Sequence, residues 1–295
     1  MSDTRLIGVD WGTSNLRVMR IAEGGAVLDN RSDPRGAGGL APDQFHGVLQ
    51  EVAGDWLIQG LPVLISGMAG ARGRWREMVY LPCPAGVADL ATAVANPDDA
   101  PYVSIVPGVA VFADGRLQDV IRGEETQVFG LDALDDAFVV GPGTHSKWIC
   151  TAGGRITGFR TFITGELFAA IRKGTILGAD MGDPGVDDDA FAAGVQRALR
   201  DPAVTAALFS VRVEGLAGRL SPASSADYLS GLLIGAEIAA QIDTRERPII
   251  LIGAEALCAR YAAALALGGF HDVRIADGAA ATAKGLWRIH EALSR

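Results

Sequence analysis

Two stretches of the chain share one pattern of apolar and polar positions. Arg5 to Val9 is an apolar run that ends at Asp10; the turn Gly12-Thr13-Ser14 follows, then a second run from Asn15 to Ile21. Phe138 to Gly141 repeats this shape, with the turn Pro142-Gly143-Thr144 and a second run through Ser146-Lys147-Trp148-Ile149. Each second run reaches a glycine pair, Gly24-Gly25 or Gly153-Gly154, and then a third run. Short apolar runs punctuated by turn residues predict strands. The repeat therefore predicts two related half-domains that face one ligand. Glycine lets a backbone approach that ligand closely, and free N–H and O–H groups in such turns make a nest for phosphate oxygens.

Other segments change period. Pro42 to Gln59 carries Phe45, Val48, Leu49, Val52 and Trp56 at helical spacing, with proline at its start. Pro62 to Ser66 and Tyr102 to Val106 predict strands, and Gly67 to Gly73 a loop. Glu125 to Leu131 turns helical. After Phe159 helices dominate, at Thr164–Lys173, Asp188–Arg200 and Ala226–Ile242. Pro248 to Ile252 predicts a central strand that ends in Gly253-Ala254-Glu255, with a helix after it. A strand at Val273–Ile275 and a helix at Ala279–Ser294 complete an α/β pattern. A division near Asp119 is expected, giving halves 1–118 and 119–295, with the last helix packed at their junction.

Composition narrows the function. The chain has 295 residues, 49% hydrophobic and 21% charged, enough for two domains with cores. A net charge of −9 argues against a nucleic-acid partner, although a few local arginines can still hold an anion. No apolar run is long enough to span a membrane, and the start lacks the features of a signal peptide. Cys83, Cys150 and Cys258 are odd in number and widely spaced, which fits neither a metal motif nor a disulfide framework. A cytoplasmic location is expected.

The turns carry the candidate chemistry. Asp10 can hold magnesium through water while Thr13, Ser14 and Asn15 donate to a terminal phosphate; the plain alternative is a hairpin turn whose Asp10 caps amides. In the second turn Gly143 frees the backbone, and Thr144 and Ser146 supply hydroxyls. There Lys147 reads as a solvated edge charge, and His145 as a residue that orients the loop. Neither turn matches the Walker pattern. Glu124 and Glu125, after Gly123, read either as helix-start acids or as a general base, whose pKa a helix N-terminus should keep low. Gly67 to Trp75 reads as the wall of an acceptor pocket, with Met68 close to the ligand, Arg72 or Arg74 pairing with a carboxylate and Trp75 covering a carbon chain. A surface loop with solvated arginines is the alternative. The segment around Thr164 is the expected facing wall, with Glu166 assigned to helix capping. Gly253-Ala254 would let adenine lie against backbone, or is simply a strand-to-helix turn.

Several motifs together carry a family resemblance over almost the whole chain. They are Ile7-Gly8-Val9-Asp10-Trp11-Gly12-Thr13-Ser14-Asn15-Leu16-Arg17; Ser66-Gly67-Met68 with Trp75 and Tyr80-Leu81-Pro82; and Arg122-Gly123-Glu124-Glu125-Thr126-Gln127. To these add Pro142 to Trp148, and Thr164-Gly165-Glu166-Leu167 with Leu229 to Glu237. The chain resembles the 2-dehydro-3-deoxygalactonokinases, within the superfamily of sugar kinases, actin and heat-shock chaperone ATPases. The resemblance implies two ribonuclease-H-like domains of the actin-like ATPase type, with mixed sheets flanked by helices and the active site in the interdomain cleft. It implies ATP, with Mg2+, as phosphoryl donor to the 6-hydroxyl of 2-dehydro-3-deoxy-D-galactonate, in galactonate catabolism. Related glycerol-type kinases carry Gly-Asp where this chain has Gly123-Glu124, so Glu124 is favoured as base over Glu125. Asp10, Gly12, Thr13, Ser14, Asn15, Gly143, Thr144, Gly253 and Ala254 are expected at ATP, with Asp10 also at the metal. Gly67, Met68, Arg72, Trp75, Arg122 and Thr164 are expected at the keto-deoxy sugar acid. A homo-oligomer is compatible with the chain. A kinase for another small sugar acid or sugar, and a non-kinase actin-like ATPase, are the alternative readings.

Overall fold

The computed structural model describes residues 3–293 apart from 133–135, 183–185, 202, 242, 243 and 245. The expected helix ends at Ile242 and Ser294 lie outside the described residues. The strands are β1 (Leu6–Trp11), β2 (Leu16–Ile21), β3 (Val27–Asp33), β4 (Val63–Gly67), β5 (Tyr80–Pro82), β6 (Val103–Ile105), β7 (Gly108–Ala113), β8 (Arg116–Ile121), β9 (Phe138–Gly141), β10 (Ser146–Ala152), β11 (Arg155–Phe162), β12 (Ile249–Ile252) and β13 (Val273–Ala276). The helices are α1 (Phe45–Leu57), α2 (Val87–Thr92), α3 (Glu124–Phe129), α4 (Thr164–Gly174), α5 (Asp188–Arg200), α6 (Val204–Leu216), α7 (Pro222–Ala239), α8 (Glu255–Leu267) and α9 (Gly278–Leu293).

The chain divides into two compact units. The first comprises Met1–Asp136, Ile149–Phe159 and Ala276–Arg295; the second comprises Ala137–Trp148 and Arg160–Ile275. The division expected at Asp119 thus falls inside the first unit. The reason is packing: α3, just beyond that point, lies against α9 so closely that a Cβ on Gly285 would stand 1.8 Å from the Thr126 carbonyl oxygen. That contact also draws the last helix into the first unit.

The repeat predicted from the sequence is present as topology. One sheet has the order β3-β2-β1-β4-β6, and another β11-β10-β9-β12-β13, which is the same arrangement of corresponding strands. In the first, β1 runs antiparallel to β2 and parallel to β4. In the second, β12 runs parallel to β9. The alternation of strand β1 sends Ile7, Val9 and Trp11 into a core shared with Phe45, Leu49 and Trp56 of α1. Each such side chain, fully buried, contributes about 1.5–3 kcal/mol. Asp10 points to the other face, in register with Arg17 of β2 and Ser66 of β4.

A third sheet, β5-β7-β8, is absent from the sequence-based expectations. Its hairpin turns at Asp114 and Gly115, both with positive φ (50° and 72°). An Asp-Gly pair between alternating runs is the signal for a two-residue hairpin turn, so the sequence did carry it.

Candidate active site

In the first unit the candidate acidic residues sit at the end of β1 and the start of α3. Asp10 is the penultimate residue of β1, and the turn after it is closed by Gly12 N donating to Asn15 O at 2.9 Å. Asp10, Gly12, Thr13, Ser14, Asn15 and Arg17 together line one open concavity, with Thr13, Ser14 and Asn15 exposed. Burial pushes the Asp10 carboxyl above the usual carboxylate range; Arg17 opposes this and the nearby Glu124 adds to it. The three groups therefore share one electrostatic neighbourhood.

Glu124 and Glu125 begin α3 but do different things. The turn before them passes through Gly123 at φ 107°, where a Cβ would stand 3.4 Å from the Gly67 Cα. Gly67 itself has φ 97°, and a Cβ there would meet the Trp11 carbonyl at 2.7 Å. Glycine at both positions lets the end of β4 meet the start of α3 backbone to backbone. Glu125 is 0% exposed, and its two carboxylate oxygens accept from Gly123 N at 2.9 and 2.7 Å. The Ser66 hydroxyl donates to Thr126 Oγ1 at 2.7 Å, and Thr126 donates to Glu125 at 3.1 Å. Burial, then repulsion from Glu124, raises the Glu125 carboxyl to about 7. The low value expected from a helix start does not hold for Glu125, because desolvation outweighs a one-turn dipole. Glu124 is half-buried, and accepts from Arg122 N at 2.9 Å.

In the second unit, the Gly143-Thr144 turn lies against the start of α4, where Glu166 N donates to Thr144 O at 3.0 Å. A cavity of about 250 Å³ adjoins the turn. Phe168, Leu233, Ile234 and Leu257 give it apolar walls, and Gly143, Asp227 and Arg260 give it polar edges. Arg260 Nη2 sits 2.8 Å from the buried Asp227 Oδ1, off the line of an N–H bond, and Arg260 Nε has no acceptor among the described residues.

Residues 10–289 match the family described as 2-keto-3-deoxy-galactonokinase. The 2-dehydro-3-deoxygalactonokinase of Escherichia coli K12 is 35% identical over 293 residues, covering 98% of this chain and 99% of that protein. A Rhizobium meliloti relative given the same activity provisionally is 39% identical, covering 95% and 97%. A crystal structure from Sinorhizobium meliloti, described as a candidate for that activity, superposes with TM-score 0.87 at 36% identity over 98% of this chain and 99% of the other. The chain belongs to the 2-keto-3-deoxy-galactonokinase family. A structure of (R)-2-hydroxyglutaryl-CoA dehydratase component A, from Acidaminococcus fermentans, shares the fold at 14% identity and TM-score 0.53.

Within this galactonokinase-family chain, the expected acceptor wall divides. Gly67 lies beside Gly123, and Met68 is half-buried against the core. Trp75 is only 8% exposed, stacked on Phe45 with ring centroids 5.8 Å apart and donating to Asp99 Oδ1 at 2.8 Å. It is a core residue, and no face of it is free to cover a carbon chain. Arg72 is exposed beside Glu77, 3.4 Å away, and Arg74 Nη1 donates to Leu40 O at 2.9 Å. Arg122 is different: 9% exposed, its guanidinium stacks 4.3 Å over Tyr80, and Nη2 donates to Met78 O at 3.1 Å. Its Nε and Nη1 are buried without an acceptor among the described residues.

The other expectations sort similarly. Thr164 lines the apolar cavity, but its hydroxyl donates to Glu237. The Ser146 hydroxyl is buried 2.7 Å from the Tyr261 hydroxyl, so it does not face a ligand. Lys147 is 7% exposed, not a solvated edge charge, because its Nζ folds back to donate to His145 O at 3.2 Å. Glu166 is paired with His145 at 2.6 Å and does not cap α4. Gly253 and Ala254 precede α8, while the cavity is lined by Leu257, Arg260 and Tyr261 farther along it. The sequence assigned no role to Arg17, Asp227, Arg260 or Glu237. For Arg17 a signal existed: in a tight hairpin it falls opposite Asp10.

Proposed function

We propose that this protein transfers the terminal phosphoryl group of ATP to the 6-hydroxyl of 2-dehydro-3-deoxy-D-galactonate, giving the 6-phosphate and ADP. Family membership supports the substrate. The observation that carries the chemistry is the division of labour between adjacent carboxylates: Glu125 is committed to its own backbone, while Glu124 shares the neighbourhood of Asp10. Glu124 takes the proton from the 6-hydroxyl as that oxygen bonds to the terminal phosphorus. The bond from phosphorus to the departing ADP oxygen breaks in the same displacement. Glu125 stays a support that fixes the turn at Gly123.

The turn from Gly12 to Asn15, with the Arg17 cation beside it, meets phosphate oxygens in the first unit. In the second, Gly143 and Thr144 meet phosphate, and the apolar cavity by α8 takes the adenine, with Gly253 and Ala254 shaping its entry. Asp10 fits Mg2+: a carboxylate destabilised by burial and by Glu124 gains from a hard cation. Mg2+ typically keeps waters and takes one or two carboxylates plus substrate phosphates, neutralising charge on them. Arg122 is the best-fitting partner for the carboxylate of the sugar acid. A guanidinium with two unmatched N–H-bearing nitrogens favours an anionic acceptor over a neutral sugar. Gly67 and Met68 flank that acceptor.

The decisive experiment compares Glu124→Gln with Glu125→Gln in an ADP-release assay. Loss of general-base catalysis predicts a fall in kcat of about 10²–10⁴ for Glu124→Gln, with much smaller loss for Glu125→Gln. Near-normal turnover in the former with a dead latter variant would reverse the assignment. A panel of sugars and sugar acids tests the substrate, and ATP hydrolysis indifferent to every acceptor would point to a non-kinase ATPase.

A further inference from the structure

The second unit buries a carboxylate that the proposed chemistry does not use. Glu237 on α7 is 2% exposed. Burial of an ionisable group is costly unless hydrogen bonds replace water, and burial indeed pushes this carboxyl upward. Four donors from three elements converge on it, Ser146 and Trp148 of β10, Thr164 of α4 and Tyr261 of α8. Trp148 Nε1 of β10 donates to Oε1 at 2.6 Å, and the Tyr261 hydroxyl of α8 donates to Oε2 at 2.9 Å. The Thr164 hydroxyl, on the first residue of α4, donates to the same Oε2. The Ser146 hydroxyl, itself a hydrogen-bond partner of Glu237, also lies 2.7 Å from the Tyr261 hydroxyl.

What Thr164 fixes matters. The first turn of α4 is fitted to the Gly143-Thr144 turn: a Cβ on Gly165 would stand 2.4 Å from the Gly143 carbonyl oxygen. Glu166 N donates to Thr144 O, and the Glu166 carboxylate pairs with His145 at 2.6 Å. Thr164, Tyr261 and Gly143 all line the apolar cavity. A single carboxylate therefore sets two side chains of that cavity and, through α4, the backbone of the turn.

We propose that Glu237 is a positioning residue for nucleotide binding, holding the Thr164 hydroxyl and the Tyr261 ring so that the Gly143-Thr144 turn and the cavity keep the shape that accepts ATP. Glu237 touches no substrate. The proposal rests on the reading of that turn as a phosphate contact and that cavity as the adenine site.

The test uses the full chain with Glu237→Gln, Thr164→Val, Tyr261→Phe and the Glu237→Gln/Thr164→Val pair. ATP and the sugar acid are varied separately, and urea unfolding is recorded alongside. Glu237→Gln and Thr164→Val each raise the KM for ATP by about tenfold, as expected for one hydrogen bond to a charged group. The KM for the acceptor stays within about twofold, and the double variant is no worse than the poorer single one. A lowered urea midpoint with unchanged KM for ATP overturns the proposal, because a purely structural carboxylate gives that result. Multiplying effects in the double variant also overturn it. If Glu237→Gln does not fold, Thr164→Val and Tyr261→Phe decide: an unchanged KM for ATP in both is a refutation. Gly143→Val separates the two levels. If it binds ATP normally, the underlying reading fails; if it weakens ATP while Thr164→Val does not, only the role of Glu237 fails.

Discussion

Glu125→Gln isolates the energetic cost of a buried acid. In the folded protein the Glu125 carboxyl titrates at about 7, against the usual 4.5. Below pH 4.5 folded and unfolded chains both hold the proton, and stability is unaffected by this group. Between pH 4.5 and 7 the folded chain keeps the proton and the unfolded chain has lost it, so rising pH favours unfolding. Above 7 both are ionised and the loss is complete. At about 1.4 kcal/mol per tenfold difference in proton affinity, the full loss is about 3 kcal/mol. Glutamine keeps an acceptor for Gly123 N but carries no titrating proton. Urea unfolding of both proteins from pH 4 to pH 8 should show the wild type losing about 3 kcal/mol relative to the variant, a midpoint change of about 1 M or more. Asp10 and Glu237 are also raised by burial, but they titrate in both proteins and largely cancel in the difference. Midpoints that run parallel across this range would refute the claim that desolvation of Glu125 outweighs the hydrogen bonds it accepts.

Three further outcomes are expected. Gly285→Ala pushes α9 off α3, since its Cβ would overlap the Thr126 carbonyl; calorimetry should show destabilisation of about 1–3 kcal/mol or more. Arg122→Lys retains charge but loses the planar fork, so the KM for the sugar acid should rise by about tenfold or more, with the KM for ATP little changed; equal binding of the acid by the variant would remove Arg122 from the acceptor site. Asp10→Asn should weaken the response of turnover to Mg2+ concentration without lowering the unfolding midpoint, because it removes a carboxylate that burial disfavours; a fully retained Mg2+ response would count against Asp10 at the metal.

The parts legible in the sequence were those written in local pattern. The two meanders, with their Gly-Thr turns and glycine pairs, appear as two sheets of one strand order. The helix read over Asp188–Arg200 is α5, which Asp187 opens by accepting from Ala190 N at 2.9 Å. The parts missed depend on partners distant in the chain. Trp75 reads as a loop aromatic until Phe45 and Trp11 are seen to enclose it. Glu124 and Glu125 are equivalent in sequence; the turn at Gly123 rotates one into the protein and leaves the other half-buried beside Asp10. Of the arginines, only tertiary packing separates Arg122, which is enclosed, from Arg72, which is in solvent.

The discontinuity of the first unit has a consequence for how the protein is made. Its strands β1 to β8 and helix α3 are synthesised first, yet α9, which closes against α3, is synthesised only after the whole of the second unit. A chain that lacks residues 276 onward already holds every residue of the second unit, while the first still exposes the seat of its final helix. Chaperone engagement and protease sensitivity during translation should therefore concentrate on the earlier-made half, an inversion of the usual order in which the leading domain matures first.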